Sequence, residues 1–286
     1  MPLLDHIRAC NAWSPDDFRP LWAGAVQIGW VEAARLDLFR AAGGLFADDP
    51  RGGLSIATPT GDPDRDGAAV DDALRGAVSA IDGVGGWRGE KLDVAADWTA
   101  PPALRIERCL VPVLGAKAYG VHVNGFVRTV DGPAFWTARR ARTLGSFPGL
   151  LDHMIAGGVS TGYGPFETVV KEAHEEAGVP PALARAAQAV GTVSYVVAMS
   201  GGLRRDTLFC YDLEVPADFA PRPVDGEVEG FDLRPAAAVI DALRDGGGYK
   251  FNVPLVIIDF AIRHGLITPE TDPDYPAIAA GLRAAL

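Results

Sequence analysis

The chain has 286 residues, 48% of them apolar and 22% charged, with a formal net charge of −11. That length allows two domains or one with a large extension, and the composition is that of an ordinary soluble globular protein. The acidic balance argues against a nucleic-acid-binding surface and leaves room only for a local basic pocket for a phosphate-bearing small molecule, and no run of about 18 apolar residues is present to cross a membrane.

The start, Met1-Pro2-Leu3-Leu4-Asp5-His6, lacks the basic and apolar regions of a signal peptide. Cys10, Cys109 and Cys210 are odd in number and far apart. They read as reduced thiols, and the expected location is the cytoplasm. The five histidines form no HExxH, so a zinc site is not expected.

In chain order, residues 3–12 read as a short helix with Asp5, His6 and Arg8 on its wet side. Phe18 to Trp22 and Ala25 to Val31 read as strands, and Glu32 to Ala42 as a helix stopped by Gly43-Gly44. Thr58 to Asp64 is a turn-rich connector. Asp66 to Ile81 has helical spacing at Val70, Leu74, Ala77, Val78 and Ile81. Nothing in this first part has the spacing of a known chemical site, and Trp22, Trp30, Trp87 and Trp98 read as core first and pocket lining second.

From Leu104 the texture turns to strands. Leu104 to Leu110 alternates, Tyr119 to Arg128 runs to an Asp131-Gly132 turn, and Phe135 to Arg140 pairs back as a hairpin. Further strands are expected over Ala189 to Val197 and Arg205 to Leu213. Helices are expected over Pro235 to Arg244, Asn252 to His264 and Asp274 to Leu286, with Leu255 to Ile258 equally readable as a buried strand. The periodicity gives mixed α and β, with no internal repeat.

The densest chemistry lies between Ala156 and Val179. A glycine-rich loop, Ala156-Gly157-Gly158-Val159-Ser160-Thr161-Gly162-Tyr163-Gly164, enters a helix carrying Glu172, Glu175 and Glu176, and Gly178 ends it. On a helix these carboxylates share one side, next to an apolar stripe of Phe166, Val169, Val170, Ala173 and Ala177. Three like charges side by side repel, and a hard divalent cation is the natural compensation. The alternative is a solvated acidic face.

Aligned on Gly157, the stretch resembles the Nudix box. That motif is a Gly, five residues, a Glu, seven residues, then Arg-Glu-apolar-any-Glu-Glu-any-Gly-apolar. Here the tail is Lys171-Glu172-Ala173-His174-Glu175-Glu176-Ala177-Gly178-Val179, with Tyr163 in place of the first Glu and Lys171 in place of the Arg. The family's Glu and Arg usually interact, so this chain has lost both partners together. The resemblance implies an α/β fold, the Nudix α/β/α sandwich with a mixed sheet, over residues 113–286. A mixed α/β extension domain would occupy residues 1–112.

Further strings resemble one branch of that family: Tyr119 to Gly125, Trp136-Thr137-Ala138-Arg139-Arg140, Leu151-Asp152-His153-Met154-Ile155-Ala156-Gly157-Gly158, Asp225 to Phe231, and Tyr249-Lys250-Phe251-Asn252. It is the branch related to the Nudix half of fungal thiamin pyrophosphokinase fusion proteins, which has stand-alone members in plants and yeasts. The resemblance implies a hydrolase cleaving the diphosphate linkage of a small organic diphosphate, with oxidised or damaged thiamin diphosphate converted to the monophosphate. The alternatives are a hydrolase of nucleoside diphosphate derivatives or a non-catalytic Nudix ligand-binding module.

The implied cofactor is Mg²⁺, with Mn²⁺ able to substitute, held by Glu172, Glu175 and Glu176. Catalytic candidates are Glu172, Glu176, Glu227 and Glu229, the general base varying between branches of the family. For the substrate's phosphates the candidate cations are Arg139, Lys250 and Arg205. For its ring, Tyr195 and Phe147 are the candidate walls. Gly157 and Gly158 let the loop wrap tightly at the helix start. The expected partner is the small-molecule diphosphate, with a homodimer left open.

Overall fold

The computed structural model describes residues 1–57, 59–79 and 81–285, so Thr58, Ala80 and Leu286, which fall in the expected connector, the helix expected over Asp66 to Ile81 and the helix expected at the tail, lie outside the described residues. The chain runs α1 (Leu3–Cys10), β1 (Phe18–Ala23), β2 (Val26–Glu32), α2 (Leu36–Arg40), β3 (Phe46–Asp48), β4 (Leu54–Ile56), α3 (Pro63–Val78), β5 (Lys91–Val94) and β6 (Leu104–Glu107). It continues with β7 (Lys117–Thr129), β8 (Gly132–Arg140), β9 (Leu151–Asp152), β10 (Ile155–Gly158), α4 (Pro165–Ala177), α5 (Pro181–Ala184), β11 (Gln188–Met199) and β12 (Gly202–Glu214). The last elements are β13 (Val228–Pro235), α6 (Ala236–Arg244), α7 (Val253–Arg263) and α8 (Tyr275–Gly281).

The first part builds a four-stranded sheet in the order β2-β1-β4-β3, with β5 and β6 as a separate antiparallel pair. Its core joins Leu21, Ile28, Val31, Phe39, Leu54, Val70, Leu74 and Ile106, which brings α3 and the β5–β6 ribbon onto the sheet. Helix α3 begins earlier than its spacing suggests, because Asp62 caps the backbone N–H groups of Asp64 and Arg65 and Pro63 fits the first helical position. The expected helix from Glu32 splits into a 3₁₀ turn, Ala33–Arg35, and the short α2. The strand expected over Leu104 to Leu110 stops at Glu107, and Arg108–Leu110 form a 3₁₀ turn.

The second part is a seven-stranded mixed sheet whose main path is β11-β12-β7-β8-β13. Strand β7 is its spine: it runs parallel to β12 and antiparallel to β8 and to β10. One face buries Val121, Val123, Tyr211 and Leu213 against Val169, Ala173 and Ala177 of α4. The other face buries Phe126, Phe135, Tyr195 and Leu208 under α6, α7 and α8. This is the α/β/α sandwich that the sequence implies. The apolar run Leu255-Val256-Ile257-Ile258 is fully helical, and it is buried all round because α7 lies between the sheet and the flanking helices. Leu3, Leu4, Ile7 and Cys10 of α1 pack into this same core beside α8, not into that of the first part. Among the described residues no helix is long and apolar enough to cross a membrane.

Candidate active site

Strand β10 lies beside β7, with Ile155 opposite Val123 and Gly158 opposite Gly120. The loop beyond it swings out, and α4 starts at Pro165 with its first turn closed by Glu167, whose Oε2 accepts from the Gly164 N–H at 2.9 Å. The helix ends at Gly178, where φ is 60°; the N–H groups of Gly178 and Val179 donate to the carbonyls of His174 and Ala173. Val169, Ala173 and Ala177 face the sheet, so Glu172 and Glu176, on the edge of that stripe, are turned back onto β10.

Both carboxylates lie against the backbone of β10. The Ala156 N–H donates to Glu176 Oε2 at 2.9 Å. Glu172 lies flat on Gly157: a Cβ there would sit 2.5 Å from Glu172 Cδ and 2.7 Å from its Oε1. Only glycine leaves room for the carboxylate at that point. Burial raises the Glu176 carboxyl well above the usual range, and Asp152, Glu172 and Asp225 push the same way. Burial, joined by Glu175, also raises Glu172, against the pull of Lys171 and Arg108. Two partly desolvated carboxylates with too little positive charge and hard oxygen donors on one strand edge fit a divalent cation. Glu175 is set apart. It is exposed and its Oε2 takes Lys171 Nζ at 2.7 Å, while Lys171 also reaches Glu172 Oε1 at 3.1 Å. Tyr163 is exposed, and no side-chain hydrogen bond links it to Lys171 among the described residues.

A second charged cluster, unforeseen from the sequence, lies behind β10. His122, Asp152 and His153 are all buried, with potential ligand atoms within 4.8 Å of one another. Their arrangement is a hydrogen-bonded one: the two Nδ1 atoms are 2.9 Å apart, and Asp152 Oδ2 accepts from Arg140 at 3.1 Å and Lys250 at 3.3 Å. Burial works against the Asp152 charge, but Lys250, the imidazoles and Arg140 outweigh it and hold the carboxyl far below its ordinary range. Burial drives both imidazoles towards neutrality, His153 to about 4. The two cations already on Asp152 oppose a dication there, so the box carboxylates are the better metal donors.

The other sequence candidates divide. Glu227 faces the first part of the chain, its Oε1 accepting from Arg88 at 3.2 Å. Glu229 is turned to Arg142, accepting from its backbone N–H at 2.9 Å. Arg139 donates to the Gly149 carbonyl at 3.1 Å and so braces its own loop. Lys250 is committed to Asp152. Arg205 lies elsewhere, with Lys117, Trp13 and Trp30 on a pocket of about 340 Å³. Tyr195 is a correction. It is fully buried between β12 and α7, donating to Asp206 at 2.5 Å and accepting from Asn252 at 3.0 Å, so it cannot wall a substrate ring. Phe147 stays half-buried against Phe251, at a strained φ of 51°.

The first part of the chain reaches the box loop directly. Thr161 N–H donates to the Lys91 carbonyl at 2.9 Å, Thr161 Oγ1 to Asp93 at 2.8 Å, and Ser160 Oγ to Glu90 Oε1 at 2.8 Å. No local sequence pattern announces these contacts, which join the box loop to a segment far away in the chain.

A family model described as a domain of unknown function, DUF4743, matches residues 2–118. The chain is 42% identical over 279 residues to Nudix hydrolase 20, chloroplastic, of Arabidopsis thaliana, a match covering 93% of this chain and 74% of that protein. It is 38% identical over 286 residues to Nudix hydrolase 24, chloroplastic, of the same plant, covering 98% and 77%. Among solved structures, DR0079 of Deinococcus radiodurans superposes with a TM-score of 0.45 at 21% identity, covering 59% of this chain and 98% of that one.

Proposed function

Because the chain belongs to the Nudix hydrolase family, we propose that it is a Mg²⁺-dependent diphosphatase of a small organic diphosphate, with oxidised or damaged thiamin diphosphate as the substrate and its monophosphate as a product. The observation that carries the metal-dependent reading is the pair of desolvated carboxylates, Glu172 and Glu176, held on Gly157 and Ala156. The substrate rests on the branch resemblance of the strings around Tyr119, Trp136, Asp225 and Tyr249.

Glu172 and Glu176 would hold the cation, with Glu175 at the exposed rim. Mg²⁺, when bound, withdraws charge from the diphosphate oxygens and lowers the pKa of bound water. The chain's own contribution is positional. Of the two loop carboxylates Glu227 is the better-placed acceptor for the proton of the attacking water, since its charge reaches Arg108 together with that of Glu172, whereas Glu229 is turned to Arg142. Arg88 pairs with the Glu227 carboxylate at 3.2 Å. We also propose the domain division at residue 112, with α1 crossing to the far core, and the cytoplasm as the location, in keeping with three free and buried thiols.

The test is a screen of diphosphates with the full chain and Mg²⁺, including oxidised thiamin diphosphates beside nucleoside diphosphate derivatives. The thiamin monophosphate is expected fastest and only with metal. Faster turnover of a nucleoside diphosphate derivative would remove the thiamin substrate and keep the hydrolase.

A further inference from the structure

The turn after β6 places Arg108 against the box, although this residue belongs to the first part of the chain. A Cβ on Gly158 would lie 3.6 Å from the Arg108 guanidinium carbon, so the guanidinium rests on the backbone at the end of β10, beside Glu172 on Gly157. Its one side-chain hydrogen bond among the described residues is to Glu90 Oε2, at 2.9 Å. The rest of the donor fork is uncommitted, and the side chain is 46% exposed. Desolvation works against its charge, but Glu90, Glu172 and Glu227 outweigh it and keep the guanidinium protonated.

The support behind this side chain is rigid. The buried Glu107 carboxylate accepts from the N–H groups of Arg88 and Gly89 at 2.8 and 3.0 Å, and the Arg108 N–H donates to the Glu90 carbonyl at 2.8 Å. Glu90 in turn accepts from Ser160 in the box loop. A guanidinium fixed in this way, with free donors beside two carboxylates that suit a cation, matches what a phosphate group needs from its second side.

We propose that Arg108 is a substrate-binding residue of this site, supplied by the N-terminal extension, and that it takes the phosphoryl oxygens of the diphosphate beside Gly158. The proposal rests on the diphosphatase reading, and it gives the extension a defined part in the site: it carries one wall of the phosphate pocket and pins the box loop through Glu90, Lys91 and Asp93.

The test uses the full chain and imidodiphosphate, a diphosphate that resists hydrolysis, titrated calorimetrically with Mg²⁺ present. Arg108→Ala is expected to weaken imidodiphosphate binding roughly 10- to 100-fold, as loss of a charge-assisted fork contact does. Arg108→Lys should recover part of that loss, and Glu90→Gln, which only loosens the guanidinium, should lose about threefold. Mg²⁺ affinity should not fall in Arg108→Ala, because a facing cation has been removed; a collapsed box loop would weaken it. If Arg108→Ala does not fold, Arg108→Lys against the unaltered chain is still expected to lose several-fold.

Unchanged imidodiphosphate binding in Arg108→Ala overturns the proposal, as does no binding by the unaltered chain. It also falls if Glu90→Gln loses as much as Arg108→Ala while Arg108→Lys recovers nothing, since the side chain is then only a clamp. Imidodiphosphate binding through Arg108 without turnover of any thiamin diphosphate would sink the substrate assignment alone.

Discussion

Asp152 stands on β9 and Glu176 on α4, and burial works against the charge of both; their other surroundings differ. Asp152 has Arg140 and Lys250 on one oxygen and is held ionised. Glu176 has a single backbone N–H, with Glu172, Asp152 and Asp225 for neighbours, and its carboxyl is pushed up. A carboxylate already matched by cations is a structural post. One left short of positive charge is a place where an added cation gains more than the fold has supplied.

The largest effect that tests this contrast is on turnover. Glu176→Gln keeps an oxygen for the Ala156 N–H but loses a metal donor, and should cut Mg²⁺-dependent diphosphate hydrolysis by about a thousand-fold, some 4 kcal/mol. In EDTA its melting temperature should hold or rise, by about 2–4 °C per kcal/mol of relieved desolvation. A large fall in melting temperature would put Glu176 among the structural posts.

Asp152→Asn should behave in the opposite sense, leaving two cations beside a neutral amide in a buried site. A loss of about 3–5 kcal/mol is expected in chemical denaturation, and a loss under 1 kcal/mol would dissolve the distinction drawn between the two carboxylates. Gly157→Ala sets a methyl on Glu172 and should lower turnover by roughly 10- to 100-fold, with about 1–3 kcal/mol of strain; full activity would mean that Glu172 works from another position. Mg²⁺ should raise the melting temperature of the unaltered chain, following the linkage of ligand to folding, and should not raise that of Glu176→Gln. The smallest effect belongs to Tyr163→Ala, expected within about 0.5 kcal/mol in melts because the exposed side chain holds nothing in the loop.

Much of α4 is legible in the sequence. Val169, Ala173 and Ala177 at helical spacing fix its inner face, Gly178 fixes its end, and the carboxylates follow from both. Tyr195 shows where such reading fails. Strand alternation says that it faces one side of the sheet, but only the packing of α7 decides that this side is sealed. Arg108 fails for a related reason. Alternation continued the strand past Glu107, whereas hydrogen bonds from Arg88 and Gly89 to Glu107 and from Arg108 to Glu90 turn the chain there. Its neighbour Gly158 is far away in sequence, so no local pattern joins them. That the family's Glu–Arg pair is missing, with Tyr163 and Lys171 in its place, is legible in the sequence; the contacts of Ser160 and Thr161 with Glu90, Lys91 and Asp93 are not.

Helix α1 also bears on how the chain is made. Ile7 packs so closely on α8 that a Cβ on Gly281 would meet its side chain, and Asn11 donates to the Gly281 carbonyl at 3.4 Å. Phe260 of α7 and Leu282 lie in the same core as Leu3 and Leu4. During synthesis α1 is therefore made long before α7 and α8, and its apolar face stays uncovered while the residues between them follow. The hydrolase core therefore joins segments from both ends of this sequence, and its assembly is of high contact order.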